Sequence, residues 1–171
     1  GLNQSIPSYL DFNGGLRSFG HSAKQSSKQT DMVYGMTSYT KAGLKQGIDS
    51  VKYAGGNSPL SAALMAAADD LKGVKGSTAI IVVSDGKQMK DAPAAAAKLK
   101  EALGPNACIY TVHVGESAEG MKTMQKVAEA GGCGTAERAE NLTARENLVG
   151  YVKNVFLTPS GPCPDGDRDG V

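Results

Sequence analysis

The 171-residue sequence contains no tryptophan, and aromatic residues make up only 5% of it. A core must therefore be built from Ala, Val, Ile, Leu and Met rather than from large rings. No stretch approaches the roughly 18 consecutive apolar residues that cross a bilayer, so no transmembrane segment is expected. Residues 1–10 carry neither a basic region nor a long apolar run, so no signal peptide opens the sequence. The expectation is either a cytoplasmic protein or a mature or trimmed piece of an exported one. An excess of one charge is also missing: Lys plus Arg is 18, Asp plus Glu is 17, and the formal net charge is +1. A nucleic-acid binder would show a basic stripe, so no nucleic-acid partner is expected. There is no G-x-x-x-x-G-K-[ST] loop, no G-x-G-x-x-G after a strand and no G-x-S-x-G elbow. The two histidines, His21 in a polar loop and His113 inside an apolar run, form no triad with a named serine. His113 reads as a packed or edge-strand residue. Hydrolase and dinucleotide chemistry are thereby disfavoured, and a non-enzymatic chain is expected.

Cysteine is scarce: Cys108, Cys133 and Cys163 are too few for a disulfide scaffold. No C-x-x-C is present and no His stands at ligand spacing from a Cys, which disfavours zinc. Two readings stay open. The thiols are buried and free, or Cys108 bonds Cys133 and leaves Cys163 for a partner further along a longer chain, which fits export.

What the sequence does have is glycine, 22 residues, about twice the usual ~7%. Its hydrophobic content of 40% is enough for a core. Two kinds of segment alternate. Residues 78–84 (Thr-Ala-Ile-Ile-Val-Val-Ser) and 108–114 are short, apolar and β-branched, which predicts buried parallel strands. Residues 12–19 form a weaker strand, loosened by Gly14 and Gly15. Helical spacing runs over residues 40–53, 58–72, 91–103, 118–130 and 142–157. Ser58 can cap the second of these, Asp91 the third, and Gly131-Gly132 ends the fourth. Residues 20–31 are polar and serine-rich, a surface loop. Residues 158–171 are Pro/Gly/Asp-rich without periodicity, a linker leaving the domain. The alternation predicts an α/β domain: a doubly wound, mainly parallel sheet flanked by helices. In such sheets the binding crevice lies beyond the carboxyl ends of the strands.

Two residues stand where that crevice is expected. Asp85 follows the strand at 78–84 in Ser-Asp-Gly-Lys, where a carboxylate can hold a metal, a water or a ribose. The plainer reading is an Asp-Gly turn. Ser58 follows Gly55-Gly56-Asn57 and presents a hydroxyl at a helix start, or serves only as a cap. A sharper motif ends the sequence. Asp165, Asp167 and Asp169, followed by Gly170, make D-x-D-x-D-G, the first half of a calcium loop whose alternating carboxylates converge on one Ca²⁺.

Three segments together resemble the von Willebrand factor type A (VWA) domain. They are Gly-Gly-x-Ser-Pro-Leu-x-x-Ala-Leu at residues 55–64, Ile-Ile-Val-Val-Ser-Asp-Gly at 80–86 and Ile-Tyr-Thr-Val-His-Val-Gly at 109–115. The resemblance runs over residues 1–157, with residues 12–20 similar to that fold's second strand and 2–10 to the end of its first helix. It implies a Rossmann-like fold with a metal-ion-dependent adhesion site (MIDAS). The family's second-loop Thr falls on Ser58 and its third-loop Asp on Asp85, so Mg²⁺, or Mn²⁺ or Ca²⁺, would bind there and recruit a protein partner. The first loop, D-x-S-x-S, has no counterpart here, and the resemblance implies that the central strand before it lies outside this sequence. The Gly-Gly-Cys-Gly turn with Cys108 also looks like exported VWA domains, which favours the Cys108–Cys133 disulfide. Residues 163–171 resemble the start of thrombospondin type 3-like calcium repeats. Such repeats join an upstream domain to an OmpA-like peptidoglycan-binding domain, here outside the chain. The implied place is the periplasm or cell surface, associated with the outer membrane. The alternative is a structural scaffold or assembly subunit of the envelope without a working metal site.

Overall fold

The strand Ala107–His113 is buried at every position, as an unbroken apolar, β-branched run requires. This strand is β4 of a computed structural model that describes residues 1–157. Asp165, Asp167, Asp169 and Cys163 therefore lie outside the described residues. β4 pairs in parallel with β3 (Thr78–Ser84) on one side and with β5 (Ala136–Arg138) on the other. The register aligns Ser84, His113 and Arg138 at the carboxyl ends of the three strands.

Alternate residues of a strand point to opposite faces, and β4 divides its side chains accordingly. Ile109 joins a core of Leu60, Leu64, Val82, Leu99, Met124 and Val127. That core is built by α3 (Leu60–Asp70), α4 (Ala92–Leu103) and α5 (Ala118–Ala130). Alanines 92, 95 and 96 are buried and let α4 lie close to the sheet. On the other face Cys108, Tyr110 and Val112 pack with Tyr151 and Val155 of α6 (Arg145–Leu157). Both faces of β4 are thus covered by helices, and the fold is α/β with a parallel three-stranded sheet, as expected.

The weaker strand expected at residues 12–19 and the helix expected at 40–53 are both present, but the strand's pairing departs from the parallel sheet. β1 (Asn13–Phe19) pairs antiparallel with β2 (Thr30–Ser38) as a separate two-stranded sheet. β2 has no counterpart among the expected strands, because Gly35 interrupts its apolar run. No hydrogen-bonded ladder joins this hairpin to β3. The link is made by side chains instead. Arg17 of β1 donates from Nε (2.9 Å) and Nη2 (2.6 Å) to Asp70 Oδ2 at the end of α3, and Phe19 packs against the larger core. The helix α2 (Lys41–Ser50) starts where the hydroxyl of Thr40 accepts the Gly43 N–H at 3.0 Å. Among the described residues β3 has no partner on its edge away from β4, and Val83 is 53% exposed. Burial on both sides therefore holds for β4 but not for β3.

Helix ends also differ. Ser58 does not cap α3: the helix begins at Leu60 behind Pro59, with no side-chain cap. The Leu60 N–H instead bonds the Ser58 carbonyl at 2.8 Å, so a tight turn does the work expected of the hydroxyl. Asp91 stands at the N-cap of α4 but makes no side-chain cap bond. The N-terminal helix α1 spans only Leu2–Ser5, and Ile6 is extended, as the residue before a proline prefers. The last helical pattern breaks at Ala144, which is extended between a 3₁₀ turn at Asn141–Thr143 and α6.

Candidate functional site

Parallel strands deliver their carboxyl ends to one rim, and turns that leave it carry side chains into the crevice above. Asp85 leaves β3 at that rim. Its Oδ1 accepts the Lys87 N–H at 3.1 Å, and the Ser84 hydroxyl accepts the Gly86 N–H at 3.2 Å. The first bond is the Asp-Gly turn of the plainer sequence reading. It occupies one carboxylate oxygen and leaves Oδ2 without a partner among the described residues. The Asp85 residue is exposed while Gly86 behind it is buried.

Ser58 lies in the loop between α2 and α3. The loop before it is tied to the end of β1: Gly55 N–H bonds Gly20 O at 3.0 Å, Ser22 N–H bonds Tyr53 O at 3.2 Å, and His21 bridges Ala54. His21, expected in a polar surface loop, is buried. Its Nε2 lies 2.9 Å from the Lys28 carbonyl and its Nδ1 lies 3.3 Å from the Ser18 hydroxyl. The imidazole holds residues 18–28 together and so supports the loop under Ser58. At Gly55 and Gly56 the backbone has φ of 153° and 75°, which favours glycine.

Ser58 opens onto a cleft of about 440 Å³ that it lines with Gln29, Asn57, Ser61, Gln88 and Asp91. Asp85 does not line this cleft. The structure thus brings Ser58 beside the β3–α4 loop, but the carboxylate nearest its cleft is Asp91. The sequence offered Asp91 only as a cap, since nothing local distinguishes a capping Asp from a cleft-lining one. Gln88, also missed, has φ of 57°, the one non-glycine positive φ among the described residues.

His113 closes the rim from below. It is fully buried at the end of β4, and neither ring nitrogen has a partner among the described residues. That agrees with the packed histidine expected. Cys108 and Cys133 form a disulfide, with Cα atoms 5.0 Å apart, that pins the turn after α5 to the start of β4.

No family model matches this chain, and no curated protein matches it. Among solved structures it is similar to a von Willebrand factor type A protein from Catenulispora acidiphila, with a TM-score of 0.63 over 90% of this chain. The fold is VWA-like. Identity is 18%, so the likeness concerns fold alone, and this chain spans 36% of that protein's chain. The Asp85 carboxylate and the Ser58 hydroxyl are hard oxygen donors on two separate loops, a donor type that hard cations take. Two such ligands fall short of the roughly six that a hard cation takes. Among the described residues no group of three His, Cys, Asp or Glu gathers to complete the set.

Proposed function

We propose that this chain carries a non-enzymatic, metal-ion-dependent protein-binding module of an exported envelope protein. The observation that carries the reading is Asp85 itself: an exposed carboxylate at the carboxyl end of a parallel strand, with one oxygen uncommitted. The Asp85 carboxylate and the Ser58 hydroxyl are two ligands of Mg²⁺, or of Mn²⁺ or Ca²⁺, and further ligands come from outside the described residues. A bound divalent ion supplies an open coordination position for a carboxylate of the partner protein. Residues 1–157 form this module. Residues 158–171 form a linker that begins a calcium repeat, with Asp165, Asp167 and Asp169 as its first ligands. An OmpA-like domain beyond the chain ties the protein to peptidoglycan in the periplasm or at the cell surface. The Cys108–Cys133 bond supports export, because disulfides persist in oxidising compartments.

A scaffold role without a metal site is the second reading, favoured by the absence of a three-residue acidic or histidine cluster among the described residues. Titration with Mn²⁺ separates the two. In the metal-dependent reading the intact protein, with its first loop, binds Mn²⁺, and both Asp85→Ala and Ser58→Ala bind it at least ten-fold more weakly. Equal affinity in all three chains removes these residues from the site, and no binding by wild type favours the scaffold.

A further inference from the structure

Two glycines meet back to back beneath Asp85. Gly86 has φ of 68° and is buried. A Cβ added there would overlap the backbone of Gly120, in the first turn of α5. A Cβ added at Gly120 would in turn overlap the Asp85 carbonyl oxygen and come within 3.0 Å of His113 Nε2. The Gly120 turn is itself held: the Ser117 hydroxyl accepts the Gly120 N–H at 3.0 Å. Ser84, which faces His113 in the sheet register, holds the Gly86 N–H from below. The peptide after Asp85 is therefore backed by the Gly120 backbone and tied by the Ser84 hydroxyl.

We infer that Gly120 is a positioning residue, which sets the direction in which Asp85 presents its carboxylate; this rests on reading Asp85 as a metal ligand. Backbone-on-backbone contact leaves no flexible side chain to absorb a displacement. A methyl group at Gly120 pushes on the Asp85 carbonyl, rotates that peptide and swings the carboxylate with it. A small hard cation demands near-ideal ligand placement, so such a swing weakens binding without removing a ligand.

The test compares Gly120→Ala with Gly131→Ala in the full chain. Gly131 ends the same helix, and a Cβ there collides with the Ile109 side chain, far along β4 from Asp85. Both variants disturb α5 packing, but only one touches the turn. Amide resonances are recorded without metal, and Mn²⁺ affinity is then measured by titration. We expect Gly120→Ala to move the Gly86 and Lys87 amide resonances and to weaken Mn²⁺ binding at least ten-fold, with Gly131→Ala changing neither. The positioning role is overturned if Gly120→Ala leaves those resonances in place, or if Gly131→Ala moves them equally. It is overturned also if Gly120→Ala binds Mn²⁺ as wild type does. If wild type binds no Mn²⁺, the metal reading fails, and the amide resonances alone decide whether Gly120 seats the turn. Should Gly120→Ala not fold, Ser117→Ala replaces it. Loss of that hydroxyl loosens the same turn, and the Gly86 and Lys87 resonances must still move.

Discussion

Tyr151 buries a hydroxyl that has no partner among the described residues. Burial holds its phenol far above the ordinary tyrosine range, with smaller contributions from Tyr110 and Glu137. A raised pKa in the folded state means that folding favours the neutral phenol. The resulting stability is complete below the unfolded value of about 10 and is lost as pH rises above it. Tyr151→Phe removes both the orphaned hydroxyl and the ionisation. An unsatisfied buried group costs about 1–3 kcal/mol, so the variant should unfold at an equal or higher temperature at pH 7. It should also lose less stability than wild type between pH 9 and 11. Thermal melts across that range check this, and parallel decline of the two proteins would refute it. Asp85 shows how far one residue can be read from sequence. Its place after an apolar strand put it at the rim, because strand ends are local. Its relation to Ser58 was not legible: Asp91, not Asp85, shares the Ser58 cleft.

Two covalent or charged ties hold separate elements together. The Cys108–Cys133 bond closes a segment of sequence separation 25 between β4 and the end of α5. Chain-entropy reasoning assigns such a loop about 3 kcal/mol. Reduction should therefore lower stability by roughly 2–4 kcal/mol in a denaturant titration, with a steeper slope because the unfolded chain is no longer cross-linked. Non-reducing mass spectrometry should show the linked peptide. The Arg17–Asp70 pair ties the hairpin to α3 at 2.6 Å, with side chains 17% and 22% exposed. Partial burial limits screening, so Asp70→Asn should cost about 1–2 kcal/mol. Hydrogen exchange should then quicken in β1 and β2 before it does in β3 and β4. Uniform quickening would mean that the hairpin and the parallel sheet open as one unit. The pair was invisible in the sequence, since 53 positions separate its members.

At the scale of the whole molecule, an open strand edge stands out among the described residues. β3 is apolar and β-branched, yet among the described residues one edge has no partner, and Val83 is 53% exposed. Its seven residues Thr-Ala-Ile-Ile-Val-Val-Ser carry no Lys, Pro or bulge to blunt that edge. The 171-residue chain should therefore self-associate as its concentration rises. Val83→Lys should suppress this by several-fold in light scattering while leaving the melting temperature within a few degrees. Equal scattering from both proteins would place the sticky surface elsewhere. Among the described residues no helix is long and apolar enough to cross a membrane.

From the sequence alone came the α/β class, the strands at β1, β3 and β4, and the run of α2 to α6. These follow from local periodicity, in which neighbouring residues report which face they share. Tertiary structure decided the rest. It set the antiparallel hairpin apart from the parallel sheet and found β5, whose three residues are too few to show a period. It also placed Asp91 beside Ser58 and seated Asp85 on Gly120. Each of these depends on which distant faces meet, and long-range packing rather than local pattern settles that.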